Sequence, residues 1–276
     1  MGDVMGEWDA TSYEAKDNLL RVVRAEADRF FAMARQESAW QQDTACPQWQ
    51  VRDIVGHLID VTESYFVGFD AARGGATVAD ALGTRAMQTM LDEGARAHRS
   101  LSQTQALERL RGDFDKLMEM VEALGPDEWA GLAVPHKYMG PLPAFFYPVF
   151  QLMDYGVHSW DIRQGFGRAH GLSEDVADLL VPFMFILWSA TGNAAADAEP
   201  CEIGIRVYGG HNAGEWRISA GPAGFAYASG ATDDLPAVIE FDPGSFVLTA
   251  FGRSNSGTVR GDMAVADRYL NSFFRI

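Results

Sequence analysis

"CPQWQVRDIVGHLIDV", residues 46–61, opens the segment on which the fold reading turns. Its continuation, "VRDIVGHLIDVTESYFVGFDAA" over 51–72, repeats apolar residues at the helical period and stops at Gly74-Gly75. The spacing predicts one long amphipathic helix. His57 falls in its middle, flanked by Val55 and Leu58, where an imidazole is expected to be shielded from solvent.

The same period extends outward on both sides. Residues 11–36 place Leu19, Leu20, Val22, Val23, Phe30 and Phe31 between charges. Residues 76–99 read as shorter helical pieces. Ser102 is a candidate cap for a helix over 103–124, stopped by Gly125-Pro126. The stretch 127–141, with proline and glycine near its end, is expected to be a loop. A helix is expected over 142–165, ending at Gly165 and Gly167, and another over 174–190 capped by Ser173. The texture then changes. "TGNAAADAEP" (191–200) suits a linker. "CEIGIRVYGG", "GEWRISA", "FAYAS" and "PAVIEFD" show partial two-residue alternation, and "GGHNAG" is a hairpin signal. Helical stretches over 243–251 and 262–274 follow. The expectation is an α+β chain: a helical bundle over 1–195 and a small α+β domain over 196–276.

The net charge of −16 argues against a phosphate backbone or an anionic membrane as partner. Cys46 and Cys201, the two cysteines, form no CxxC, so no disulfide framework or thiolate zinc site is implied. "LLVPFMFILW" (179–188) is too short to span a bilayer and contains Pro182. "MGDVMGEWDA" at the start is acidic and lacks a leader-type apolar region, so a cytoplasmic protein is expected.

"DYGVHSWDIR", residues 154–163, sets Asp154 and His158 four apart within an apolar helix. Such residues share a face, with Cβ atoms about 6 Å apart. A carboxylate oxygen and an imidazole nitrogen can then meet one divalent cation, with His57 from another helix as third ligand. Two histidines and a carboxylate serve open zinc sites and also iron(II) sites. Asp161, three residues beyond His158, is the alternative acidic ligand. Otherwise it is the group that orients the imidazole. The plainer account is a hydrogen-bonded core histidine and a helix-face contact. His98, His136, His170 and His211 are expected to be exposed, although His136 lies in a loop leading straight into the Asp154 helix.

The 46–61 segment resembles the motif opening the second helix of mycothiol-dependent maleylpyruvate isomerase relatives, within the DinB-like four-helix-bundle superfamily. Cys46, Pro47, Trp49, Arg52, Asp53 and His57 carry the resemblance. "HSWDIR" (158–163) has the family look, and Asp154 with His158 match its two later ligands, where Glu or His is more usual first. "VRGDMAVADRYLNSFFRI" (259–276) resembles the end of the sterol-carrier-like domain found in many members. An arginine from that domain belongs to the family's site; Arg253 matches it, with Arg260 as substitute. Cys46 and Trp49 are read as packing residues.

The resemblance implies a divalent metal, zinc being the expected ion, and mycothiol as thiol cosubstrate. The metal would turn the thiol into a thiolate for attack on a small electrophile, with Arg253 pairing an anionic substrate group. His136 and Tyr138, in the aromatic loop "HKYMGPLPAFFYP", are candidates for contacting substrate. A general mycothiol S-transferase is favoured over a maleylpyruvate-type cis–trans isomerase. A non-catalytic small-ligand-binding protein and an iron(II)–dioxygen oxidase are the readings from other classes.

Overall fold

Four helices with apolar stripes account for the first compact unit, Ala10–Leu172. In the computed structural model of the chain, residues 6–75, 77–167, 170–192, 199–222 and 224–274 are described. Helix α1 spans Lys16–Ala34, α2 Val51–Ala72, α3 Met87–Ala97, α4 Gln103–Glu122 and the short α5 Pro126–Gly131. A two-stranded hairpin follows, β1 Ala133–His136 and β2 Gly140–Pro143, and then α6 Phe146–Gly165. Helices α1, α2, α4 and α6 form the bundle. Leu19, Val23 and Phe30, Ile54 and Leu58, Leu110 and Leu117, and Tyr155 and Ile162 bury their side chains in its core. The ring of Tyr155 meets Phe30 and Phe114 edge-on, each with centroids 5.3 Å apart. Helix α6 is buried along most of its length, as its near-continuous apolar sequence requires.

The ends of these helices are tied by polar groups. Asp53 accepts the Gln50 backbone N–H at 2.9 Å and receives both arms of Arg99 at 2.7 and 2.8 Å. This fixes the start of α2 one turn before His57. Ser102 caps α4 reciprocally with Gln105. Lys16 Nζ donates to the carbonyls of Glu122 and Leu124 at the other end of α4, 2.7 Å from each.

Two expectations change here. The stretch 127–141 is not a plain loop but α5 followed by the hairpin, in which Ala133 pairs with Pro143 and His136 with Gly140. Pro135, Pro141 and Pro143 all stand in its strands. In a two-stranded ladder both strands are edges, where a missing N–H can face outward. Because β2 takes Gly140–Pro143, α6 starts at Phe146 rather than 142.

The second unit comprises Met1–Asp9 and Ser173–Ile276. Helix α7 is Glu174–Thr191; β3 is Cys201–Val207, β4 Gly214–Gly221, β5 Gly224–Ser229 and β6 Ala237–Phe241; α8 is Pro243–Ala250, β7 Thr258–Gly261 and α9 Met263–Leu270. The sheet runs β5-β4-β3-β6-β7, with β3 and β6 parallel and the other pairs antiparallel. The texture of the sequence puts the domain boundary at 195/196, whereas the compact units divide between Leu172 and Ser173. Phe185 and Trp188 of α7 pack on Phe246, and Trp188 also meets Tyr269, so α7 belongs with the sheet. Of the expected linker, 193–198 lie outside the described residues, as do 275–276 of the closing motif. Among the described residues no helix is long and apolar enough to cross a membrane.

Candidate metal centre

The site is built where the 43–50 loop and two helices of the bundle meet. The loop is held by its own sequence. Thr44 Oγ1 accepts the Cys46 N–H and donates to the Trp49 carbonyl. Cys46–Trp49 form a turn closed by Trp49 N–H to Cys46 O, with Pro47 second and Gln48 third at φ 68°. The Ala45 N–H donates to the Asp161 carbonyl of α6. A Cβ at Gly165 would overlap the Asp43 carbonyl oxygen, so glycine there lets the loop lie directly on α6.

His57 from α2 and Asp154 and His158 from α6 converge. One ligand atom from each lies within 4.8 Å of the others. His57 Nε2 is 3.7 Å from Asp154 Oδ1, and the two imidazole rings stand edge to face at 5.2 Å. Both histidines are buried and Asp154 is one-fifth exposed. His158 Nδ1 is 2.9 Å from Asp161 Oδ2. That carboxylate accepts a hydrogen bond from Nδ1–H, which keeps the proton on Nδ1 and leaves the Nε2 lone pair for another partner. Burial holds the His158 pKa below the usual value, against the pull of Asp161, which favours the neutral ring that a metal ligand uses. The donor set fits a divalent cation of the zinc or iron(II) type.

Trp49 covers this group. Its indole lies 5.2 Å from the His57 ring and 6.0 Å from the His158 ring, and its Nε1 donates to Asp92 of α3 at 2.9 Å. Cys46 Sγ is 3.0 Å from Asp161 Oδ2. Packing, the role read for both from sequence, leaves out these contacts. The motif flagged both residues, but their partners come from α3 and α6, which sequence order does not connect to the loop.

His136 is not exposed as expected. It ends β1, where a Cβ on Gly68 of α2 would overlap the Pro135 carbonyl, so the hairpin sits tightly on α2. Its ring packs against Phe150 at 5.3 Å, Tyr138 at 6.0 Å and Tyr65 at 6.2 Å. Its Nδ1 faces the backbone N–H groups of Tyr138 and Met139, both at 3.3 Å. Burial lowers its pKa to about 4, with the Asp154 charge pulling the other way. The ring is therefore neutral with its proton on Nε2. Tyr138 is buried behind it. His98 and His170 are half-buried and His211 is exposed; His211 stacks on Trp8 at 4.3 Å.

Arg253 follows α8 in the second unit, its Nη1 donating to the Phe251 carbonyl at 3.3 Å. Arg260, on β7, pairs with Glu240 at 2.9 Å, and Glu240 also pairs with Arg206, so the substitute arginine is engaged in a sheet-surface network.

Fold and side chains together define a helical bundle with an interior histidine–carboxylate cluster, joined in one chain to a small α+β unit. The sequence matches a family model along residues 20–163. The chain belongs to that family, described as the mycothiol maleylpyruvate isomerase N-terminal domain. Among solved structures, a mycothiol-dependent maleylpyruvate isomerase aligns at 13% identity and TM-score 0.59, over 90% of this chain and 94% of that one. A histidine-to-alanine variant with the same description aligns at 12% identity with the same TM-score and coverage. A colibactin self-resistance protein, ClbS, solved with double-stranded DNA, covers 56% of this chain at 14% identity and TM-score 0.48. Among curated proteins no match was found. At these identities the structural likeness establishes the α+β fold.

Proposed function

We propose that the chain is a metal-dependent, mycothiol-dependent S-transferase acting on a small electrophile. The observation that carries this is the convergence of His57, Asp154 and His158 to within 4.8 Å, inside the stretch that matches the mycothiol isomerase family. A divalent cation there, zinc by preference, would supply a Lewis acid that turns a thiol into the more nucleophilic thiolate at neutral pH.

The chain's own residues do the rest. His57 and His158 offer ring nitrogens and Asp154 offers a carboxylate oxygen. Asp161 holds the His158 proton on Nδ1. Trp49 packs its indole against both histidine rings. His136 keeps its proton on Nε2, as a donor to a substrate oxygen, with Tyr138 packed behind it. The assignment of Arg253 to an anionic substrate group rests on the sequence resemblance. In transfer, the thiolate forms a C–S bond to the electrophilic carbon, and the displaced group leaves with the electron pair or the adduct takes up a proton.

Cis–trans isomerisation is the second reading, favoured by the family match and by the two structural neighbours. There the same C–S bond would form, a C–C bond would rotate, and the thiol would be eliminated unchanged. The test is turnover of maleylpyruvate and of a general thiol-trapping electrophile, with mycothiol, by metal-loaded and chelated protein. The proposal expects thiol conjugates, metal dependence, and loss of turnover in His57→Ala. Consumption of maleylpyruvate without net loss of thiol selects the isomerase. Full thiol-dependent turnover by chelated protein or by His57→Ala overturns the metal reading.

A further inference from the structure

Asp161 is fully buried, and one of its oxygens faces two side-chain donors at once. His158 Nδ1 lies 2.9 Å from Oδ2 and Cys46 Sγ lies 3.0 Å from the same atom. Sulfur and Nδ1 are themselves 3.8 Å apart. A cysteine that merely fills space has no need of a polar partner. This one donates its S–H to a carboxylate oxygen at short range, and a charged acceptor makes such a hydrogen bond stronger.

The backbone delivers the thiol to this place. Thr44 fixes the turn from inside, the Ala45 N–H clamps the loop to the Asp161 carbonyl, and Gly165 makes room for the clamp. Asp161 is thus held by two neighbours in the loop, at its carbonyl by the Ala45 N–H and at its carboxylate by the Cys46 thiol. The carboxylate oxygen that orients His158 is itself held by a second donor from a different element.

We infer that Cys46 is a positioning residue for the metal centre, acting through Asp161. Its S–H fixes the carboxylate oxygen that holds the His158 proton on Nδ1, and so keeps Nε2 as the ligand nitrogen. The inference deepens the metal reading above and rests on it for its functional meaning.

The experiment uses full-length, metal-free protein. Infrared spectroscopy of the Cys201→Ser variant isolates the Cys46 S–H stretch, because the chain has two cysteines. The band is expected displaced to low wavenumber and broadened; the position of a free thiol overturns the inference. Nitrogen-15 NMR of the imidazoles then reads the His158 tautomer, expected as Nδ1–H in the parent and Cys46→Ser proteins and as a mixture in Cys46→Ala. Zinc affinity by chelator competition is expected to fall about 10-fold in Cys46→Ala and to stay within about threefold in Cys46→Ser, the scale typical of groups that support a ligand. Unchanged tautomer and affinity in folded Cys46→Ala reduce Cys46 to packing. A parent protein that binds no zinc, yet whose His158 tautomer depends on Cys46, sinks the metal reading and leaves the positioning intact.

Discussion

His57 of α2 and Asp154 of α6 face each other with Nε2 and Oδ1 3.7 Å apart. That is too long for a hydrogen bond. It is close to the separation of two atoms sharing one ion: ligands about 2.0–2.2 Å from a tetrahedral zinc stand roughly 3.4 Å apart. That separation is the one the proposed shared cation would impose.

A cation that binds the folded bundle should stabilise it by mass action. At 100 times its dissociation constant, zinc is expected to add about 2.7 kcal/mol to the unfolding free energy. His57→Ala and Asp154→Ala proteins at the same zinc concentration should show little of that gain. Differential scanning calorimetry with and without zinc measures it. Equal gains in parent and variants would place the bound ion elsewhere.

Asp161→Asn tests the orienting carboxylate. The amide keeps the shape, but it can offer an N–H where His158 Nδ1 needs an acceptor. Metal affinity is expected to drop by about 10- to 100-fold, the usual cost of losing such a partner. Circular dichroism and the melting temperature of the apo protein check that the bundle survives.

Much of this was legible in residue order, and the physical reason differs from element to element. Helix α2 starts and stops where its sequence changes from loop to period and from period to Gly-Gly, because punctuation and amphipathicity agree there. The i, i+4 pair Asp154/His158 is a consequence of helix geometry alone. The hairpin was hidden by its prolines. Strand β7 was missed because four residues, Thr258–Gly261, carry too little alternation to read. Membership of α7 in the second unit is decided by aromatic packing between residues far apart in sequence. The contacts of Trp49 with Asp92, and of Cys46 with Asp161, are likewise tertiary, and no spacing rule reaches them.

Asp113 gives the stability a pH signature. Burial raises its pKa to about 6, helped by the Glu63 charge and opposed by Arg109 and Lys116. An unfolded aspartate releases its proton near pH 3.9. Between those values the folded chain holds more protons than the unfolded one, so this group's contribution falls as pH rises from about 4 to about 6. Asp113→Asn removes that loss. Its stability relative to the parent should increase across the same window and level off above it, as read from urea midpoints at several pH values. A difference independent of pH would show that Asp113 titrates normally.

The turn that carries Cys46 and Trp49 stores a small strain. Gln48 has φ 68°, the left-handed region, at the third position of a turn type that favours glycine there. A side chain in that conformation costs about 1–2 kcal/mol. Glycine relieves the clash but gives back part of the gain through the freer unfolded chain, by roughly 0.5–1 kcal/mol. Gln48→Gly is therefore expected to stabilise the protein by about 0.5–1 kcal/mol. The backbone on either side, Thr44 to Cys46 and Trp49 to Cys46, is already fixed by its hydrogen bonds, so the metal-site geometry should not change. Guanidinium unfolding measures the first expectation and zinc affinity the second. A variant less stable than the parent would mean that the Gln48 side chain contributes more to the turn than its backbone conformation costs.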